Sequence, residues 1–361
     1  MSMTILGLAT AEPARSIEQS EAARIARTFL PDGREARLLP ALFQRTQVRS
    51  RGSVLLEAGR GDEARQSFYP PATGPADRGP ATALRMQRYA EESLPLVGAA
   101  AARSLELAAT GPEAITHLIT VSCTGFFAPG LDIGLVKRLE LSPTVARLHV
   151  GFMGCHGALN ALRAARAAVL ADPAAVVLLA AVELCSLHYQ YGADSDTLVA
   201  NALFADGAAA LVGRAAAGSD APWRLVSSGS YLLPDAEEGM TWKIGDHGFE
   251  MTLSSRVPEM ICGHLRSWLE GWLAASGRRL QDIRCWAIHP GGPRILTSVA
   301  EALGLPQTAI AASAEILARC GNMSSPTILF VLKRLQEQGA RPPCVVLGFG
   351  PGLVAETALL E

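Results

Sequence analysis

Lysine is almost missing from this chain. Lys and Arg together number 32, and only Lys137, Lys243 and Lys333 are lysine. The skew reads as coding bias, not as a phosphate-binding design. Against these stand 34 Asp and Glu, for a net charge of -2. A chain without a global basic field is not built to hold nucleic acid. Long apolar runs are missing too. The longest, 174–182, is nine residues, whereas a spanning helix needs about 20, so membrane insertion is not expected. The start MSMTILGLATAEP has no basic segment and no long apolar segment, and does not read as a secretory signal. Cysteine number and spacing exclude two further designs. There are seven, widely spread, with no CxxC and no His/Cys cluster at metal spacing. That predicts neither a disulfide framework nor a metal site, but reduced, buried thiols in a cytoplasmic protein. Charged residues are only 18% and hydrophobic ones 49%, which excludes disorder and predicts a large core. At 361 residues there is room for one large domain or two.

What is present is an alternation of strands and helices. Residues 4–8 read as a strand. Ser16 with Gln19 suggests a capping box opening a helix that runs to about Leu30. Residues 58–82, rich in Gly, Pro and charge, read as a surface loop, and 83–109 as a helix. Strands are expected at 115–122, 146–150, 174–183 and 206–213, with a helix at 156–171. The continuous apolar run at 174–183 predicts a strand covered on both faces. The second half alternates again, with helices near 257–276, 293–303, 309–319 and 324–339 and strands at 282–288, 343–348 and 353–359.

The two halves, 1–215 and 216–361, resemble each other. ITHLITVS runs into Cys123-Thr124-Gly125, and IRCWAI runs into His289-Pro290-Gly291-Gly292. Cys123 to Cys155 is 32 positions, and His289 to Asn322 is 33. Each arrival point is a glycine and a polar residue expected to open a helix, followed by an apolar strand. This matched pattern predicts an internal duplication with a pseudo-twofold axis. The axis would bring Cys155 and Asn322 together, with His289 at a matching strand end.

Those three side chains suit acyl-thioester chemistry. A helix start lowers a thiol's pKa and offers N–H groups to an oxyanion. An adjacent histidine can hold the thiolate, and His with Asn can polarise a carbonyl so that carbon dioxide leaves. Alone, each residue has a duller explanation: a buried small hydrophobe for Cys155, a satisfied core histidine for His289, a helix cap for Asn322. Their symmetric placement favours the joint reading.

Four segments then carry a family resemblance over essentially the whole chain: GFMGCHGALNAL (151–162), ANALFADGAAALVG (200–213), WAIHPGGPRIL (286–296) with GNMSSPTILFVL (321–332), and GFGPGLVAET (348–357). The sequence resembles the type III polyketide synthases, the chalcone-synthase-like branch of the thiolase superfamily. The resemblance implies an α/β, five-layered αβαβα thiolase-like fold of two pseudo-duplicated halves, a homodimer, and no metal or organic cofactor. An acyl-CoA starter would load on Cys155. Malonyl-CoA would then be decarboxylated and condensed repeatedly, and the chain cyclised to a pyrone, resorcinol or related phenolic. His289 and Asn322 would bind the malonyl carbonyl and stabilise the enolate. Phe204 matches the gatekeeper phenylalanine. Met251 falls where plant members carry a second one, and tilts the expectation toward an aliphatic starter. Cys123, His188 and Ser324 match pocket positions, though Cys123 also reads as an inert buried thiol. Ala128 stands where plant members have a Met that reaches into the partner's cavity. Arg45 and Arg49 match a CoA-binding basic stretch, which otherwise reads as a solvated face. Gly350 and Pro351 of the GFGPG loop would shape the cavity wall. Two alternatives stay open: a single-condensation enzyme like β-ketoacyl-ACP synthase III or HMG-CoA synthase, and an inactive partner subunit.

Overall fold

A computed structural model describes residues 2–30, 33–58, 65–192, 194–216 and 223–361. The N-terminal half contains β1 (Met3–Ala11), β2 (Ser16–Glu18), α1 (Gln19–Arg27), α2 (Arg34–Arg45), β3 (Ser50–Gly52) and α3 (Thr82–Leu107). It continues through β4 (His117–Ser122), α4 (Leu131–Arg138), β5 (Ala146–Gly151), α5 (Gly157–Ala171), β6 (Val176–Leu184), α6 (Ser195–Leu203) and β7 (Asp206–Ala215). The C-terminal half contains β8 (Arg224–Leu232), β9 (Met240–Gly245), β10 (Gly248–Leu253), α7 (Val257–Ala275), β11 (Cys285–Ile288) and α8 (Pro293–Leu303). It ends with α9 (Ala311–Cys320), α10 (Thr327–Glu337), β12 (Cys344–Gly350) and β13 (Val354–Leu360).

Nine strands form one sheet in the order β11-β12-β13-β8-β1-β7-β6-β4-β5. The halves meet where β1 pairs β8 through only two residue pairs, Met3 with Leu225 and Thr4 with Arg224. On either side the pairing repeats. β4 runs parallel to β6, β6 antiparallel to β7, and β7 antiparallel to β1. Likewise β11 runs parallel to β12, β12 antiparallel to β13, and β13 antiparallel to β8. The duplication expected from the spacing is therefore present strand for strand, with β5 added outside β4.

Side-chain alternation explains the layering. In β6, Val177, Leu179 and Ala181 pack inward on α5 and α10, while Leu178, Ala180 and Val182 pack outward beneath α3. In β12, Cys344 and Val346 face α10, while Val345 and Leu347 face α7 and α8. Sheets covered on both faces explain why both strands read as unbroken apolar runs. The result is helix, half-sheet, helix pair, half-sheet, helix: the five layers expected. α5 fits the centre because GALNALRAARAAVLA combines strong helix propensity with small side chains between two sheets.

Two local expectations need correction. Ser16 opens no helix: Ser16–Glu18 is a strand paired with β3, and α1 begins at Gln19 without a side-chain cap. Gln19 is buried and donates to Phe43 O, Thr46 Oγ1 and Ala202 O, so long-range contacts took the side chain that a capping box needed. Of the expected 58–82 loop, residues 59–64 lie outside the described residues. The rest is irregular but not all on the surface, since Tyr69 is buried and donates to Ser186 O.

Candidate active site

A cavity of about 1230 Å³, counting its open mouth, is lined by residues of both halves, including β9 and β10. Cys155 lines it. The thiol sits in a 3₁₀ turn, Gly154–His156, directly before α5. Gly154 is there of necessity: its φ is +71°, and a Cβ would stand 2.4 Å from Pro351 Cδ. Asn322 reaches the same place from the other half. Its backbone bridges to the end of α6, with Asn322 N donating to Leu203 O and Ala205 N donating to Asn322 O, both at 2.9 Å. Asn322 does not cap a helix, as its helix-start position suggested. α10 begins five residues later, at Thr327, and Asn322 Oδ1 instead accepts from Ser324 N at 2.9 Å. Phe152 and Ser324, close in sequence to Cys155 and Asn322, have φ of +60° and +54°. Non-glycine residues held there mark a backbone over-determined by its surroundings.

His289 follows β11 and is anchored by its N–H to Leu347 O at 2.8 Å. It is buried, and neither ring nitrogen has a partner among the described residues. Its Cβ and that of His156 each lie 3.6 Å from where a Cβ of Gly348 would stand. The two imidazoles therefore share one face of β12, one beside the nucleophile and one from the matching strand end.

Burial dominates the electrostatics. It pushes the Cys155 thiol up to about 11, with interactions from Ser324 and Asn322 pulling partly back. It pushes His289 down to about 3. The expected helix-start activation is thus outweighed by desolvation. As separate groups both are neutral at pH 7.

The cavity floor is organised by Glu183, buried at the end of β6. Its carboxylate accepts from Cys123 N, Ser122 Oγ, Thr124 Oγ1 and Ser325 Oγ, the last at 2.5 Å. Burial raises its pKa, and these donors lower it in part. Cys123 Sγ lies 3.4 Å from Ser324 Oγ, and the buried Glu183 helps hold both thiols protonated. On the wall, His188 Nε2 faces Thr124 O at 2.6 Å while Nδ1 accepts from Phe249 N at 2.9 Å. That fixes one neutral tautomer, and burial holds its pKa down to about 3.

The sequence matches two family descriptions end to end: the chalcone and stilbene synthase N-terminal domain over residues 2–217, and the C-terminal domain over 224–361. The chain belongs to the chalcone and stilbene synthase family. It is a type III polyketide synthase, a condensing acyltransferase that uses acyl-CoA and malonyl-CoA. It is 35% identical to an alpha-pyrone synthesis polyketide synthase-like protein, Pks18, of Mycobacterium tuberculosis, over 99% of this chain and 90% of that one. It is 37% identical to the 1,3,6,8-tetrahydroxynaphthalene synthase of Streptomyces peucetius over 74% of this chain and 73% of that one. Among solved structures it is similar to PKS-I of the brown alga Ectocarpus siliculosus, with TM-score 0.91 and 30% identity over 100% and 98% of the two chains. The tetrahydroxynaphthalene synthase of Streptomyces coelicolor gives TM-score 0.86 at 30% identity over 99% and 98%.

In this synthase Cys123, Phe204, His188, Met251, Ser324 and Pro351 line the cavity with Cys155. His289 and Asn322 are not among the residues that line it. Gly350 does not shape the wall directly; a Cβ there would meet His156 at 2.3 Å. Arg45 and Arg49 are exposed and outside the lining, whereas their neighbour Arg51 lines it and is buried. Arg51 donates to Asn201 O and Phe204 O at 2.6 and 3.0 Å, so it holds the Phe204 turn. Sequence reasoning missed Cys185, Trp242 and Phe249 on the wall. It also missed Glu183 and the buried Arg85, which donates to Leu187 O and Tyr189 O and so fixes the His188 turn. A signal for the two aromatics was present: two alternating runs joined by Asp246-His247 between glycines, which is a hairpin pattern. Among the described residues no His/Cys/Asp/Glu group has the makings of a metal site, and no helix is long and apolar enough to cross a membrane.

Proposed function

We propose that this synthase loads a long aliphatic acyl group on Cys155, extends it with malonyl units and cyclises it to a pyrone or resorcinol. The observation that carries the reading is the thiol of Cys155 on a cavity whose lining is largely apolar. Besides Phe204, the lining includes Ala22, Ile25 and Ala26 of α1 and, from the segments after it, Phe29, Leu55 and Leu56. Such a lining favours methylenes at about 0.8 kcal/mol each. Cys155 is the nucleophile and acyl carrier. His289 and Asn322 donate to the malonyl thioester carbonyl as carbon dioxide leaves, and then to the tetrahedral oxyanion. The donor set is Cys, His and Asn, and the reaction is proposed to run without metal or organic cofactor. Phe204 and Met251 flank the passage between starter and thiol. Arg45 and Arg49 remain candidates for the CoA phosphates, supported by exposure and charge alone.

The active unit is proposed to be a homodimer in the cytoplasm. The dimer is supported by the outer edge of β5, which has no strand neighbour among the described residues and carries the exposed Leu148. Phe126, Phe127, Phe152 and Met153, all exposed, lie in the segments at the C-terminal ends of β4 and β5. An apolar, unpaired edge calls for a partner.

The test is incubation with labelled malonyl-CoA and acyl-CoA starters from acetyl to palmitoyl, with benzoyl and coumaroyl for contrast. Products are read by mass spectrometry beside Cys155→Ala. Tri- and tetraketides that favour long starters and vanish in the variant are expected. A preference for aromatic starters would overturn the aliphatic assignment, and single-condensation products would overturn iteration.

A further inference from the structure

His156, the residue after the nucleophile, has no role in the scheme above, yet it is buried with a polar atom unsatisfied. Its Nδ1 lies 2.8 Å from Asn160 Oδ1. Asn160 Nδ2 donates to Glu356 Oε1 at 3.0 Å, which fixes the amide and leaves Oδ1 facing the ring. Glu356 is itself held by Ser230 Oγ at 2.7 Å and by an ion pair with Arg163. Because Asn160 Oδ1 can only accept, the proton of His156 is on Nδ1. Its Nε2 is then a bare lone pair, and this buried atom has no partner among the described residues. The ring lies on Gly350, whose missing side chain makes the space. His289, with both nitrogens likewise unpartnered, sits on the same face of β12 at Gly348.

We propose that His156 is a positioning residue for His289: its Nε2 accepts a hydrogen bond from His289, directly or across one water, and stabilises the imidazolium formed when His289 takes the Cys155 thiol proton. The step balances. The S–H bond breaks, the proton moves to a His289 nitrogen, and the thiolate and imidazolium remain as a pair. Glu356 supplies the distant negative charge, relayed through Asn160 and His156. The inference rests on Cys155 and His289 acting as proposed above. The titratable and charged groups facing this cluster are Cys155 on its own turn, Arg163 on α5, Glu356 on β13, His289 after β11, and Glu183 behind the thiol. Burial lowers the pKa of His156, which keeps it neutral and able to accept; a charge on it would instead lower the pKa of His289. This matters because an uncompensated imidazolium in so dry a site is costly.

The experiment measures iodoacetamide alkylation of Cys155 against pH on the full chain, read on the Cys155 peptide by mass spectrometry. The variants are His156→Phe, His156→Gln and Asn160→Leu. His156→Phe keeps a ring and removes the acceptor; His156→Gln restores an acceptor near Nε2. Expected are a rate at pH 7 at least about tenfold lower in the first, the change that one pKa unit makes, and a rate within about threefold of wild type in the second. A wild-type profile in His156→Phe, or equal slowing in both variants, overturns the proposal. Should His156→Phe not fold, Asn160→Leu must still slow alkylation, and an unchanged rate there overturns the proposal as well. Wild-type Cys155 that alkylates but takes no acyl group from any CoA thioester would instead sink the loading role.

Discussion

The two halves share one strand plan and do different chemistry with it. In the N-terminal half the loop before the central helix ends in a thiol within a tight 3₁₀ turn. In the C-terminal half the matching loop ends in an amide, five residues short of its helix. Histidines show the same division. His188, on the N-terminal wall, has both nitrogens engaged and is locked neutral. His289, from the C-terminal half, has neither engaged. The duplication matches His289 to Cys123 and not to His188, and the local hydrogen bonds decide which imidazole is left to react.

The comparison breaks most visibly at the paired loops. Cys155→Ala should lower product formation by at least about 10³-fold while malonyl-CoA decarboxylation continues. Asn322→Ala should lower decarboxylation itself by about 10²- to 10³-fold. Parallel assays of labelled carbon dioxide and product check both, and decarboxylation that survives in Asn322→Ala would return that residue to a purely structural role.

The halves also differ by β5, the strand without a C-terminal counterpart. Leu148, 47% exposed on that edge, should when changed to Lys break the proposed dimer into monomers, since a charge on an open edge opposes pairing. Light scattering after gel filtration reads the mass, and an unchanged dimer would place the interface elsewhere.

Within β12, Gly350→Ala should destabilise by about 1–3 kcal/mol, because its Cβ would stand 2.3 Å from the His156 ring. Gly348→Ala, at 3.0 Å from Leu159 Cδ1, should cost less. Gly350 has an extended φ of -150°, so space and not backbone strain is being tested. Urea unfolding midpoints separate the two variants, and equal midpoints would refute the steric account.

A last contrast concerns pH. His188 and His289 are both held at about 3 by burial, against about 6.5 when unfolded. Groups whose folded pKa is depressed contribute stability above the unfolded value and lose it as pH falls. Stability should therefore decline from pH 6.5 downward, each histidine adding up to about 1.4 kcal/mol per pH unit. His188→Gln should flatten that slope by about one such increment in unfolding measured from pH 7.5 to 4. An unaltered slope would mean that His188 is not the group being charged.

Much of this was legible in the sequence, for a physical reason. Strand ends and helix starts are punctuated by glycine and proline, and a duplicated plan prints the same punctuation twice. Cys155, His289 and Asn322 could thus be paired by spacing alone. Glu183, Arg85 and Trp242 could not. Each acts through partners far away in the chain, as when Trp242 Nε1 donates to Cys123 O at 2.8 Å across 119 positions. Gln19 misled for the same reason, because its apparent local partner lost to three distant ones.

The hairpin of β9 and β10 forms its own two-stranded sheet, separate from the nine-stranded one. Yet Met240, Thr241, Trp242, Phe249 and Met251 all come to the cavity from it. A roof carried on so short a module is easy to exchange. Grafting alternative hairpins between Gly239 and Ser254 would vary chamber height without touching the sheets that hold the thiol. Product length could then drift, in evolution or in the laboratory, while the catalytic floor stayed unchanged.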